Sequence, residues 1–332
     1  MLHYEPKELS VSDLHRLLLG GIAPRPIALV STISVDGINN LSPFSFFNAF
    51  GANPPMIAFS PARKGRDAGL KDTYNNLVAT KECVVQAVTY SMVEQISLAS
   101  TEYPPDIDEF DKSGLTPLDS DIVKPKRVKE SPFQMECKLV EMKSYGKGGS
   151  SANIAICEVL KIHIAEDIFT NGIIDPQKID LVSRMSGNFY CRASGTSIFE
   201  VEKPLQKKGI GYDRLPDFMK QSEIYSANNL AKFANVEGIP ADSDVDAFIN
   251  SITEEKPDGY EMGKEAFYRY ERSSNYRYMM KSAIQFAEEK NPRAIRFIEL
   301  TAKCALQNND MEFAWKAAMA AGKFITNEKL AK

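Results

Sequence analysis

Three short stretches carry side chains whose types and spacing suit capture of a ligand. In Lys71-Asp72-Thr73 a turn should open a helix, so free backbone N–H groups, a hydroxyl and an ammonium converge, a good setting for a phosphate. Ser60 and Arg63, on the loop after a short apolar run, can complete it. A helix cap beside a surface lysine also explains Asp72 and Thr73 without any ligand. The second stretch is Asn40-Leu41-Ser42-Pro43-Phe44-Ser45. A planar heteroaromatic ring needs donors and acceptors along its polar edge and apolar walls on its faces, and a proline-stiffened backbone with serines and phenylalanine supplies both. An edge strand with buried aromatics is the plainer account. The third, Arg184-Met185-Ser186-Gly187-Asn188-Phe189-Tyr190, reads either as a loop closing on a ligand or as one packing Met185 and Tyr190 into the core.

Other chemistries find little support. None of the three histidines, His3, His15 and His163, has Ser and Asp partners that spacing can defend as a hydrolytic triad. Gly146 to Gly149 is glycine-rich but lacks the strand-to-helix setting of a nucleotide loop, and it reads as a hairpin turn. The cysteines at 83, 137, 157, 191 and 304 are too scattered for a zinc site or a disulfide framework, so buried reduced thiols are expected. A net charge of −4 does not favour nucleic acid. The N-terminus has no signal-peptide pattern and no window approaches the roughly 18 apolar residues of a membrane span. The expected compartment is the cytoplasm.

The elements that must position these residues are mostly short strands. Ser10 to Leu19 predicts a short helix, capped by Ser10 or Ser12, with Leu14, Leu17 and Leu18 inward and Gly20-Gly21 at its end. Ile27 to Ser34 predicts a strand running into the Asp36-Gly37 turn, and Met56 to Phe59 and Cys83 to Val88 predict two more. Gln134 to Tyr145 and Ala152 to Ile164 predict a long hairpin, with helical pieces at Asp72 to Thr80 and Ser91 to Ser100. Such a pattern favours an antiparallel barrel or sandwich over a doubly wound sheet. Lys203-Pro204-Leu205 and Gly209 to Tyr212 read as a linker, after which helical signals dominate. Asn291-Pro292 opens a helix with Ile295, Ile298, Ala302 and Leu306 on one face, and Asp310 caps a last helix that Gly322 should end.

Pro24 to Thr32, Asn40 to Phe47, Lys71-Asp72-Thr73, Glu109-Phe110, Gly114 to Pro117, Glu130-Ser131-Pro132, Glu136-Cys137 and Arg184 to Tyr190 together resemble the flavin reductase-like family, flavoredoxin included. The resemblance covers roughly residues 10 to 200. It implies a mainly β fold with α elements, the FMN-binding split β-barrel, antiparallel and of Greek-key type. Residues 1–200 would form that barrel, 201–242 an arm or linker (Leu205 to Glu237 lying over the flavin site), and 243–332 a helical C-terminal extension. It implies a homodimer holding FMN non-covalently near the subunit interface. By that likeness Ser31 and Thr32 lie along the ribityl chain, Ser42, Pro43, Phe44 and Ser45 contact the ring edge, and Asn40 is a further cofactor-binding residue. Ser60, Arg63, Lys71, Asp72 and Thr73 hold the phosphate, and Met185, Gly187 and Tyr190 approach the ring. The chemistry is then the flavin's own, with no catalytic acid or base in the protein: hydride arrives from NADH or NADPH, which can stack on the flavin without a nucleotide-binding motif. The implied activities are a flavin reductase, an electron carrier serving a redox partner protein, or a non-enzymatic FMN-binding protein. Typical members end soon after the Tyr190 region, whereas this chain continues to Lys332.

Overall fold

A computed structural model describes residues 1–201, 203, 208–255 and 258–330, with side chains to residue 325. It divides into two compact units, Met1–Glu200 and Val201–Lys332.

The first unit opens with helix α1 (Val11–Gly21) and strands β1 (Arg25–Pro26), β2 (Ala28–Ile33), β3 (Asn39–Phe44), β4 (Phe47–Ala52) and β5 (Pro55–Phe59). Helix α2 (Asp72–Thr80), β6 (Glu82–Gln86), α3 (Val93–Leu98) and α4 (Glu109–Ser113) follow. Then come β7 (Pro117–Leu118), β8 (Arg127–Val128), β9 (Phe133–Tyr145), β10 (Ala152–Ile164), β11 (Phe169–Thr170), β12 (Ile173–Ile174), β13 (Val182–Arg184) and β14 (Tyr190–Arg192). Seven strands make one antiparallel sheet in the order β3-β2-β6-β9-β10-β5-β4. Its edges, β3 and β4, are separated in the chain by Ser45 and Phe46 alone. A flat sheet would hold them roughly 29 Å apart, whereas the three peptide links from Phe44 to Phe47 reach only about 11 Å, so the sheet must roll up. That closure is the split barrel.

The run Ile27 to Ile33 is apolar almost throughout because β2 is covered on both faces. Ala28 and Val30 face the barrel interior with Phe59, Cys83, Cys137, Cys157 and Leu77 of α2. Ile27 and Leu29 face outward, under Ile96 and Phe110 of α3 and α4. The three thiols are buried, and no cysteine is in a disulfide among the described residues. The β9–β10 hairpin turns through Gly146, whose φ of +87° suits glycine.

Helix α1 differs from expectation. Ser10 caps it, its hydroxyl oxygen accepting from the Asp13 N–H at 3.0 Å, but none of its residues is buried, and Leu17 and Leu18 are 47% and 45% exposed. Strand β4 was not expected from the sequence at all.

The second unit contains α5 (Asp217–Lys220), α6 (Ala227–Ala234), α7 (Asp242–Glu254), α8 (Lys264–Arg272), α9 (Tyr276–Glu288), α10 (Ala294–Gln307) and α11 (Met311–Leu330). Its core includes Phe233, Phe267, Ile298, Ala302, Leu306 and Trp315. Residues 208–237, expected in an arm, give Leu215, Met219, Tyr225 and Leu230 to this same core. Pro204 and Leu205 of the expected linker lie outside the described residues. Gly322 does not end the last helix, which runs on to Leu330. A Cβ there would sit 2.7 Å from the Phe218 ring, so this glycine allows close packing instead. Among the described residues no helix is long and apolar enough to cross a membrane.

Candidate functional site

A pocket forms where the end of the barrel meets α2 and α4. Asn40 and Ser42 reach it from β3, Lys64 and Lys71 from the loop after β5, Asp72 and Thr73 from the first turn of α2, and Glu109 from α4. Ser100 to Tyr103 complete the wall. Five expected residues (Asn40, Ser42, Lys71, Asp72 and Thr73) are thus brought together, and Lys64 and Glu109 join them unforeseen.

Lys71 takes the N-cap position of α2 without a side-chain cap bond. Its carbonyl accepts from the N–H groups of Tyr74 at 2.9 Å and Asn75 at 3.2 Å. The N–H groups of Asp72 and Thr73 precede the first helical bond, and the positive end of the helix dipole opens on a pocket lined by Lys64 and Lys71 as well as Asp72, Glu102 and Glu109. Free N–H groups at a helix N-terminus favour negative charge.

Three of the hydroxyls expected to grip a ligand, those of Thr73, Thr32 and Ser31, are instead bonded within the protein. Thr73 is 1% exposed and its Oγ1 donates to Asn40 Oδ1 at 2.8 Å. Thr32 donates to the same oxygen at 3.2 Å and accepts from Asn76 Nδ2 at 3.1 Å. Asn40 Nδ2 donates to both oxygens of Glu109 at 3.2 Å, and the Leu41 N–H donates to Glu109 Oε2 at 3.0 Å. Burial pushes the Glu109 carboxyl up, while the Leu41 and Asn40 donors stabilise its anion and partly offset that rise. Ser31 and Thr32, successive residues of one strand, face opposite sides, and Ser31 Oγ donates to the Lys126 carbonyl. Phe44 is core, its ring centroid 5.6 Å from that of Phe59. Pro43 is half-buried on β3.

Ser60 and Arg63 lie on the loop that carries Lys64. Ser60 Oγ and Arg63 Nε are buried, and neither has a hydrogen-bond partner among the described residues. Arg63 Nη1 donates to the Ala68 carbonyl at 2.8 Å, which fixes the guanidinium. Buried donors are normally paired, so these two match a protein that holds an anionic group beside this loop.

Met185, Gly187 and Tyr190 do not line the pocket. They belong to the surface hairpin between β13 and β14, in the small sheet β1-β13-β14. Gly187 has φ +57° and Tyr190 is 38% exposed, so the alternative that buries Tyr190 is not what forms. The Arg184 guanidinium lies over the Tyr190 ring at 4.5 Å. Arg25, 4% exposed, connects this hairpin to the barrel. It donates to the carbonyls of Leu19 at 2.7 Å, Ile22 at 2.6 Å and Met185 at 2.9 Å, and to Ser45 Oγ at 3.5 Å. Arg25 and Glu109 both lie in the short strings that carry the family resemblance. Glu109 meets Asn40 and Leu41 from 69 and 68 residues away, and Arg25 reaches Ser45 and Met185 across 20 and 160, so no local signal marks these roles.

Two other clusters already satisfy their own charged groups. Asp121, Glu136 and His163 bring potential metal-ligand atoms within 4.8 Å of one another. The Glu136 oxygens, however, accept from the N–H groups of Asp121, Ile122 and Val123 and contact His163 Nε2, while Lys161 pairs with Asp121. That arrangement ties a strap to the barrel. A cleft of about 440 Å³ in the second unit is lined by Phe248, Phe313, Arg277 and Lys316. Its cations are already paired, with Glu255 at 3.2 Å and Glu312 at 2.5 Å.

Residues 20–178 match the family profile described as "Flavin reductase like domain". An uncharacterized protein of Aquifex aeolicus is 36% identical over 195 residues, which is 58% of this chain and 97% of that protein. An uncharacterized protein of Halalkalibacterium halodurans is 38% identical over 201 residues, covering 60% of this chain and 95% of its own. Among solved structures, component B of nitrilotriacetate monooxygenase from Bacillus cereus superposes with a TM-score of 0.57 at 32% identity, over 60% of this chain and 98% of that one. A split-barrel protein from Shewanella frigidimarina assigned as a flavin reductase gives 0.52 at 26%, over 61% and 100%. These matches account for nearly the whole of each relative, and this chain extends well beyond them. With the rolled antiparallel sheet, they show that this chain belongs to the flavin reductase-like family, a group of flavin-dependent oxidoreductases built on the split barrel.

Proposed function

We propose that this protein binds FMN non-covalently and transfers hydride from NADH or NADPH to flavin. The observation that carries the reading is the first turn of α2 beside Lys64 and Lys71, next to a loop whose buried Ser60 Oγ and Arg63 Nε lack partners among the described residues. In this reading the backbone N–H groups of Asp72 and Thr73, with Lys64, Lys71, Ser60 and Arg63, hold the phosphate. Asn40, Thr32 and Thr73 brace that site from inside, and Ser31 fixes the neighbouring strand. Ser42, Pro43 and Ser45 on and after β3 present backbone and hydroxyls to the ring edge. Met185, Gly187 and Tyr190 approach the ring on the hairpin that Arg25 anchors. Bound flavin supplies the hydride chemistry, and the residues supply binding and orientation.

The likeness to a component of a monooxygenase favours a second step, delivery of electrons to a partner protein. A homodimer is part of the same reading. Helix α1 buries none of its residues, and in β4 Phe50 is 71% exposed, an apolar face that a second copy would cover.

Purified protein should show a flavin absorption band that bleaches on anaerobic addition of NADH or NADPH, with a dimer mass by light scattering. A band that neither nucleotide bleaches would leave a binding protein or a carrier reduced by another donor. Absence of a band after adding FMN would remove the cofactor assignment, and a monomer mass the dimer.

A further inference from the structure

We propose that Glu109 is a positioning residue for the flavin phosphate: its carboxylate orients the Asn40 amide, and Asn40 in turn fixes Thr73 and the first turn of α2. This rests on the reading that the pocket takes the FMN phosphate.

Donor and acceptor counts constrain this network. A carboxylate only accepts, whereas an amide side chain both donates and accepts. Glu109 receives Asn40 Nδ2 and the Leu41 N–H, so the Asn40 amide has one permitted orientation, with Oδ1 turned toward Thr73 and Thr32. The Thr73 hydroxyl proton is thereby committed to Asn40 at 2.8 Å. What the helix end offers a ligand is then its backbone N–H groups, held in place from behind. Asn76, one turn further along α2, donates to Thr32 at 3.1 Å and gives the helix a second tie to β2.

Burying this carboxylate is costly, since Glu109 is 6% exposed and no basic side chain pairs with it among the described residues. A leucine would fill the space more cheaply, so the acid is explained by what it orients. Charge and position make opposite predictions here. If Glu109 acted only as a negative charge near the phosphate, its neutralisation would tighten FMN binding. As a positioning residue, its neutralisation weakens FMN binding, because glutamine carries a donor that competes with Asn40 Nδ2.

The test compares FMN with riboflavin, which lacks the phosphate, by fluorescence titration of the full chain in four forms: unaltered, Glu109→Gln, Thr73→Val and the double variant. Glu109→Gln should weaken FMN about tenfold and riboflavin less than about twofold, as expected for one charge-assisted hydrogen-bond network. Thr73→Val should behave alike. The double variant should be no weaker than the weaker single, since both act through Asn40. Unchanged or tighter FMN binding in Glu109→Gln, equal losses for both flavins, or multiplying losses in the double variant would each overturn the proposal. An unaltered chain that binds FMN no more tightly than riboflavin would overturn the phosphate reading itself, and the proposal with it.

Discussion

Replacing Glu136 by glutamine should destabilise the barrel by an amount the structure sets. The side chain is fully buried, and burial alone would raise its pKa. The N–H groups of Asp121, Ile122 and Val123 and the His163 ring outweigh that cost and hold the carboxyl at about 2. Against an unfolded value of about 4.3, and with each unit equal to about 1.4 kcal/mol, the anion contributes on the order of 3 kcal/mol. The folded carboxyl holds its proton less tightly than the unfolded one. Its contribution is therefore complete above about pH 4.3 and is lost as the pH falls through about 2. Glutamine keeps one acceptor oxygen but turns an NH₂ toward backbone donors, so the loss near pH 7 should approach the full amount.

The assay must report on the barrel. The single tryptophan, Trp315, is buried in the second unit, so its fluorescence follows the wrong structure. Labelling of Cys83, Cys137 and Cys157 with dithiodipyridine across a guanidinium series, read peptide by peptide, follows the barrel core. The unaltered protein should lose its advantage over Glu136→Gln between about pH 4.3 and 2. Equal midpoints at pH 7, or an advantage undiminished at pH 2, would refute the reasoning.

Two further changes test the loop and helix end. Lys71→Ala should weaken FMN about tenfold while leaving riboflavin affinity nearly unchanged, measured by the same fluorescence titration. Equal losses would place the phosphate elsewhere. Gly149→Ala would set a Cβ 2.5 Å from the Gly65 carbonyl oxygen, backbone against backbone, and must displace the loop that carries Arg63 and Lys64. Barrel stability should fall by about 1–3 kcal/mol in cysteine labelling, with weaker FMN binding, and a variant normal in both would show the approach to be unimportant.

Much of the barrel was legible because its signals are local. Gln134 to Tyr145 and Ala152 to Ile164 alternate around a glycine turn, and they form β9 and β10 within a residue of the expected bounds. Helix α2 falls on Asp72–Thr80 as expected. Strand β4 was not legible, because Phe47 to Ala52 shows no alternation and five of its six residues are exposed. Gly322 reads as a stop in the sequence because composition cannot distinguish a glycine that ends a helix from one that lets Phe218 approach it.

By itself the sequence determined the strand-rich first two hundred residues, the helical remainder and the short strings that carry the family resemblance. Each depends on periodicity or on residues adjacent in the chain. Only the tertiary structure decided what the site's side chains do. It turned Thr32 and Thr73 inward onto Asn40, brought Glu109 from 68 residues away to the Leu41 N–H, and joined Ser45 to Met185 through Arg25. A hydroxyl or carboxylate advertises only that it can form hydrogen bonds. Which partner it takes is fixed when the sheet rolls up and burial leaves it no water to choose instead.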